Sequence, residues 1–122
     1  MSAIVRFIGV VETVEGEISK IRIFTEYVIG LDGMMRYKKL YVLYWFHEAD
    51  DEAHRSTLKV VPRRHGETEE RGVFSTHSPH RPNPIGLTPV ELVGVEGDTL
   101  TVRGLDAFEG SPILDIKPEA HS

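Results

Sequence analysis

The sequence predicts a mostly β fold, a single-domain barrel or sandwich of about seven short strands. Three observations predict it. Apolar and polar residues alternate over short windows, turn signals recur about every ten residues, and helical periodicity is nearly absent.

Ile4 to Glu12 is rich in β-branched and aromatic residues and is expected to form a first strand, with Glu15-Gly16 turning the chain. Ile18 to Phe24 alternates cleanly and predicts a second strand with one wet face. Gly30 and Gly33 break the pattern, and a short helix or irregular segment is expected around Met34 to Lys38. Leu40 to His47 is the most hydrophobic window and holds the only Trp, which predicts a central strand buried on both faces. Leu58 to Val61 is a short strand ended by Pro62, and a polar connection follows. Leu87 to Val95 and Thr99 to Arg103 flank Glu96-Gly97-Asp98, a hairpin signal. The turn Glu109-Gly110-Ser111-Pro112 leads to a last strand, Ile113 to Ile116. No internal repeat or linker interrupts the chain.

At 122 residues the chain is expected to be one domain with one core. Hydrophobic residues at 40% and charged residues at 27% give the balance of a soluble globular protein. No apolar run approaches a membrane span, and the start Met-Ser-Ala-Ile-Val-Arg lacks the pattern of a secretory signal, which predicts an unprocessed cytoplasmic protein. The absence of cysteine excludes disulfides, thiolate metal sites and a cysteine nucleophile. A formal charge of −5 argues against bulk electrostatic coating of nucleic acid. Between Arg55 and Arg81, however, six basic residues face three acids, so a local positive face toward phosphate stands beside a solvated mixed-charge loop as a reading.

Residues 71 to 87 combine backbone stiffness with a load of polar side chains. Pro79, Pro82 and Pro84 fix φ, remove donors and bias Ser78, Arg81 and Asn83 toward extended conformations. Helix and central strand are both excluded there. A stiff loop remains, presenting His77, Ser78, His80, Arg81 and Asn83 at fixed angles.

Familiar catalytic signatures are missing: no glycine-rich dinucleotide or phosphate loop, no His-Glu-x-x-His and no Gly-x-Ser-x-Gly. A Rossmann-type enzyme is therefore not expected. His77-x-x-His80 offers two imidazoles, but Pro79 between them and the lack of a third ligand argue against a metal site. His47 and Glu48 end the buried strand, either beside a ligand cleft or as a plain strand edge. Asp106, Glu109 and Asp115 concentrate acid near one corner. Alternation puts Asp115 and Lys117 on one face of the last strand, as an exposed ion pair or facing a ligand.

Three blocks resemble the TrmO family, also called TsaA-like or YaeB/VirR-like, a group of β-barrel tRNA methyltransferases. They are Ile29-Gly30-Leu31 leading to Val42 through His47, then Arg71 through Leu87 with its Arg-Pro-Asn-Pro-Ile-Gly core, and Gly104 through Pro118. The resemblance implies a non-Rossmann barrel that uses S-adenosyl-L-methionine, works as a homodimer with its cofactor site near the interface, and methylates N6 of threonylcarbamoyl-adenosine (t6A) at position 37 of tRNA, beside the anticodon. It places cofactor contacts at His47, Glu48, His77, Leu87, Asp106, Ala107, Phe108 and Glu109. Within that implied reaction Asp115 is the candidate base, Asn83 and Arg81 orient the threonyl carboxylate, and Arg63, Arg64, Arg71 and Lys117 are candidate tRNA contacts.

Some positions depart from the family pattern. His77 stands where relatives often have arginine, and Glu119 where an aromatic residue is usual. The chain ends at Ser122, which implies that the additional C-terminal domain of many bacterial relatives is missing. A non-enzymatic module binding an adenosine-type ligand or RNA, and a metal hydrolase on His77 and His80, are the alternatives the residues leave open.

Overall fold

The computed structural model describes residues 1–62, 66 and 68–120. Among the described residues eight strands form, and six close into a barrel in the order β1-β2-β7-β6-β3-β8. They are β1 (Gly9–Glu15), β2 (Ile18–Ile23), β3 (Lys39–Trp45), β6 (Ile85–Glu96), β7 (Thr99–Arg103) and β8 (Pro112–Pro118). The remaining two, β4 (Lys59–Val60) and β5 (Arg71–Gly72), make a small ribbon with Lys59 opposite Gly72 and Val60 opposite Arg71. The expected mostly β barrel is therefore present.

Alternation explains which side chains fill the barrel. In β2 and β7 every second residue is inside: Ser19, Ile21 and Ile23, then Leu100 and Val102. Closure comes from β1 against β8, where Gly9 faces Ile113 and Val10 faces Pro112. Register shifts at Val11/Thr13, Leu43/Tyr44 and Leu92/Gly94 mark bulges, which bend strands so that a sheet can curl onto itself.

Two strands differ from the expectation. The first begins at Gly9 and runs to Glu15, whereas Ile4 to Ile8 lies outside it. Apolar composition alone does not make a strand; a pairing partner does. Ile8 still bonds Ile113 and Phe24 through its backbone, whereas Ile4 is 88% and Val5 52% exposed. Gly9 leaves no room for a side chain between β1 and β2: a Cβ there would sit 2.4 Å from the Arg22 carbonyl oxygen. The Trp-containing strand is buried on one face only. Leu40, Val42 and Tyr44 point inward, while Tyr41, Leu43 and Trp45 are half-buried, because a closed antiparallel wall has an inside and an outside. Its end also comes earlier, with His47 in a 3-10 turn, His47–Ala49.

The hairpin at Gly97 and the turn at Gly110 are present, with φ of 61° and 87°. A 3-10 turn, Met34–Arg36, occupies the segment expected to be a short helix. A longer one, Thr25–Leu31, and a short helix α1 (Glu52–Ser56) were not foreseen. The Asp50-Asp51-Glu52 run was the available signal for α1, since Asp is a preferred N-cap and acids suit a first turn.

The chain divides into two compact units, 1–45 with 87–122, and 46–86. The barrel core belongs to the first. The second holds α1, the ribbon and the three-proline loop.

Candidate functional site

In the barrel unit one buried tyrosine organises a corner. Tyr44 faces inward from β3 and is 3% exposed. Its hydroxyl donates to the Asp106 main-chain oxygen at 2.5 Å and lies 3.0 Å from Thr88 Oγ1. A phenol has one proton, so with that proton on the Asp106 carbonyl, Thr88 must be the donor of the second bond. Leu87 and Asp106 are thus tied to the same post, through their neighbour Thr88 and their own backbone respectively. Burial pushes the Tyr44 pKa up; the Thr88 bond opposes this and the Asp106 charge adds to it. The group remains a neutral donor at neutral pH.

The turn after Asp106 is fixed by its own backbone. Phe108 N–H donates to Ser111 Oγ at 3.2 Å, Ser111 N–H returns to the Phe108 carbonyl at 3.0 Å, and Gly110 N–H reaches the Val11 carbonyl at 2.8 Å. Ser111 is itself buried. On this frame Phe108 is 67% and Leu87 46% exposed, with Asp106 and Glu109 exposed and Ala107 half-buried. Tyr44 thus joins the two backbone segments that carry these exposed apolar and carboxylate side chains.

Asp115 and Lys117 do share the outer face of β8, opposite Leu43 and Tyr41. Both are exposed. They form no ion pair with each other; Asp115 Oδ1 accepts from Ile116 N–H at 2.9 Å instead.

In the second unit the proline loop is braced by hydrogen bonds along its length. Arg81 Nη1 donates to the carbonyls of Ser78 at 2.8 Å and Thr76 at 3.2 Å. Thr76 Oγ1 accepts from Ser78 N–H and Ser78 Oγ from His80 N–H, each at 3.1 Å. Arg55 does the rest. Its guanidinium donates to the Pro82 carbonyl at 2.8 Å, Asp50 Oδ1 at 2.9 Å and Asn83 Oδ1 at 3.4 Å. Arg81 and Asn83 therefore each make contacts that shape their own loop.

Asp51 caps α1, accepting from the His54 backbone N–H at 2.8 Å and meeting its ring Nδ1 at 2.8 Å. These bonds, the backbone one first, hold its carboxyl below the usual range. The His54 ring stacks on His80 at 4.5 Å and 16°. His80 Nδ1 is buried and has no hydrogen-bond partner among the described residues. His47, Glu48 and His77 are exposed in this unit, as is Arg71 on β5. Arg63 and Arg64 lie outside the described residues. Among the described residues no group of three or more His, Cys, Asp or Glu is arranged to hold a metal ion.

Comparison with known proteins decides the family. The profile of the tRNA-methyltransferase O N-terminal domain, TrmO_N, matches residues 10–121. The chain belongs to this family. Among its relatives, a probable S-adenosyl-L-methionine-binding protein of Methanothermobacter thermautotrophicus is 52% identical over 102 residues, 84% of this chain and 69% of that protein. The human tRNA (adenine(37)-N6)-methyltransferase is 42% identical over 99 residues, 80% of this chain but 21% of that protein. A solved structure of TrmO from Pseudomonas aeruginosa superposes with a TM-score of 0.77 at 26% identity, covering 98% of this chain and 56% of that one. The chain thus spans a little over half of that solved TrmO chain.

The candidate cofactor residues of this TrmO-family chain divide between the units: Leu87, Asp106, Ala107, Phe108 and Glu109 in the barrel, His47, Glu48 and His77 in the other. Sequence reasoning missed Tyr44 and Thr88, and read Arg55 only as part of a basic run, not as a brace. Tyr44 sits in an apolar strand where a tyrosine reads as core, and its partners lie 44 and 62 positions away.

Proposed function

We propose that this TrmO-family chain is an S-adenosylmethionine-dependent tRNA methyltransferase acting on N6 of adenine 37, with the t6A base as its substrate. The observation that supports the reading is the Tyr44 corner on a barrel of this family. An S-adenosylmethionine molecule needs apolar cover for its adenine, and acceptors for its ribose hydroxyls and its amino groups. Leu87 and Phe108 are exposed apolar surfaces, Asp106 and Glu109 are exposed carboxylates, and their backbone is already fixed. The residues fit the group.

When bound, the cofactor supplies an activated methyl group. Most of the barrier reduction then comes from holding the acceptor nitrogen in line with that methyl. Asp106 and Glu109 serve the ribose or amino groups, because an anion beside the sulfonium would stabilise the ground state more than a charge-dispersed transition state. His47, Glu48 and His77 are further candidate cofactor contacts. The N6–H of t6A is urea-like and must lose its proton; Asp115 takes it. Arg81, engaged through Nη1, offers its remaining N–H groups with Asn83 to the threonyl carboxylate. Arg63, Arg64, Arg71 and Lys117 contact tRNA phosphates. The whole chain acts as one domain, in a cytoplasmic homodimer with the cofactor near its interface.

Incubation with methyl-labelled S-adenosylmethionine and tRNA carrying or lacking the threonylcarbamoyl group tests this reading. Label is expected only on N6 of the modified tRNA, and Asp115→Asn is expected to keep cofactor affinity while collapsing turnover. Binding of cofactor without transfer to either tRNA would indicate a non-enzymatic module instead. Transfer to unmodified tRNA would remove t6A from the proposal.

A further inference from the structure

The barrel unit carries two adjoining depressions that the assignments above leave unused. Arg36, Tyr37, Lys38 and Lys39 line one of about 400 Å³, with Glu119 among them. Arg36 and Tyr37 also line the second, of about 380 Å³, together with Asp32. Three cations and an aromatic ring thus occupy four consecutive positions.

The run is rigidly mounted. Gly33 at φ 83° opens the turn Met34–Arg36, which Tyr37 N–H closes onto the Met34 carbonyl at 3.1 Å. The Lys38 carbonyl accepts from Leu92 N–H at 2.7 Å and the Lys39 carbonyl from Glu119 N–H at 3.0 Å. The backbone is thereby fastened to β6 on one side and to the residue after β8 on the other. The Arg36 guanidinium folds back over Gly33, where a Cβ would lie 3.6 Å from Nε. Pairing of Tyr41 with Lys117 and of Leu40 with Pro118 adds a fourth cation on the same outer face as Lys39 and Tyr41.

Charge elsewhere on the barrel is partly matched: Arg22 meets Glu12, and Arg103 meets Glu17 and Glu91. Arg36, Lys38, Lys39 and Lys117 have no ion-pair partner among the described residues. Glu119, Asp32 and Asp115 lie on or near this surface, yet none pairs with these cations. Arg36, Lys38, Lys39 and Lys117 are exposed and Tyr37 is half-buried. Cations strung in a row with an aromatic ring between them suit a polyanion that also carries flat bases.

We infer that Arg36, Lys38 and Lys39, with Tyr37 among them, extend the tRNA contact already proposed at Lys117 into a landing surface for the sugar-phosphate backbone of the substrate tRNA. The inference rests on the tRNA methyltransferase reading and adds where the nucleic acid lies. Each phosphate contact on a single-stranded or loop segment contributes a salt slope of about 0.7, or roughly five-fold in affinity at 0.1 M salt.

The test measures binding of t6A-containing tRNA by fluorescence anisotropy from low to high salt, with S-adenosylmethionine affinity in parallel. The variant Arg36→Gln/Lys38→Gln/Lys39→Gln removes the three charges while keeping the first two methylenes of each stem, and folding is checked by an unchanged melting curve and cofactor affinity. It is expected to lose on the order of 100-fold in tRNA affinity at 0.1 M salt and about two units of salt slope. The control Arg6→Gln/Lys20→Gln/Lys59→Gln removes the same charge elsewhere and is expected to lose less than about five-fold. Equal losses in both variants, or an unchanged slope in the first, would overturn the inference while leaving the enzymatic reading intact. Tyr37→Leu, with no charge change, is expected to weaken binding at every salt concentration with the slope preserved. A wild-type protein that ignores tRNA, or that binds vesicles of anionic lipid in its place, would overturn both readings.

Discussion

Tyr44→Phe removes one oxygen and nothing else, so it isolates the tie between the barrel core and the candidate cofactor corner. Its bonds to Thr88 Oγ1 at 3.0 Å and to the Asp106 carbonyl at 2.5 Å disappear. The ring stays packed with Val42 and Leu40 as inward neighbours on its strand. A typical hydrogen bond contributes about 1 kcal/mol net, and a half-buried partner left without a donor adds to that. The expected loss is therefore about 1–2 kcal/mol, or roughly 4–8 °C in a domain of this size. If the tie positions Asp106 and Leu87, the same loosening weakens S-adenosylmethionine binding about five- to ten-fold, with kcat at saturating cofactor changed much less. Calorimetric titration and thermal melting read the two effects separately. An alkaline control is built in. Burial raises the Tyr44 pKa above its ordinary value of 10.0, so the stability carried by the neutral phenol is full below pH 10 and fades as pH climbs through the raised value. The phenylalanine variant lacks that alkaline loss. A melting drop without any change in cofactor affinity would show that the hydroxyl serves the barrel and not the site.

Three further outcomes follow from other contacts. Arg55→Lys replaces a three-way fork by a point charge, so the proline loop loses its bonds to Pro82 and Asn83; kcat/KM should fall roughly 10- to 100-fold with little change in melting temperature, and full activity would exclude the bracing role. Asp51→Ala should speed amide exchange at His54 whereas Asp51→Asn, still a capping residue, should not. Because its folded pKa is lowered from 3.8, the wild-type charged cap holds as pH falls to that value and is lost only below it, so early acid loss would contradict the bond pattern. Gly9→Ala puts a methyl 2.4 Å from the Arg22 carbonyl oxygen, backbone against side chain; destabilisation of about 2–3 kcal/mol is expected in urea titration, and a shift below about 0.5 kcal/mol would mean the strands separate freely.

The strands were legible because alternation is a local property. Ile21 and Ile23 around Arg22, and the pair Leu100 and Val102, announce their own inward face. Closure was not legible, since the Gly9–Ile113 pairing joins opposite ends of the chain and leaves no local trace. The same distance effect hid the site's supports. Three prolines declare a stiff loop on sight, but nothing near them names Arg55, 27 residues before the Pro82 carbonyl it holds. Arg81 was readable as a polar loop residue and unreadable as a brace, because its acceptors are backbone carbonyls, and any sequence has those. Asp115 and Lys117 were placed on one face correctly by period two, yet period says nothing about whether they pair, and they do not.

A barrel of six strands constrains where chemistry can occur. Even eight strands leave an interior just wide enough for side chains, and here Ile21, Ile23, Leu40, Val42, Leu100, Val102 and Ile113 already fill it. With those side chains occupying the interior, the place left for a binding site on this unit is the rim, where the backbone leaves the ladder and would ordinarily be loose. Rim residues need anchoring to something that does not move. A buried aliphatic side chain cannot supply it, having no directional bond to offer. Tyr44 can: its ring is held by the core and its hydroxyl reaches Thr88 and Asp106. A phenylalanine would pack as well and a serine could hydrogen-bond, but only a side chain with both properties transmits the rigidity of the barrel to the corner at Leu87 and Asp106.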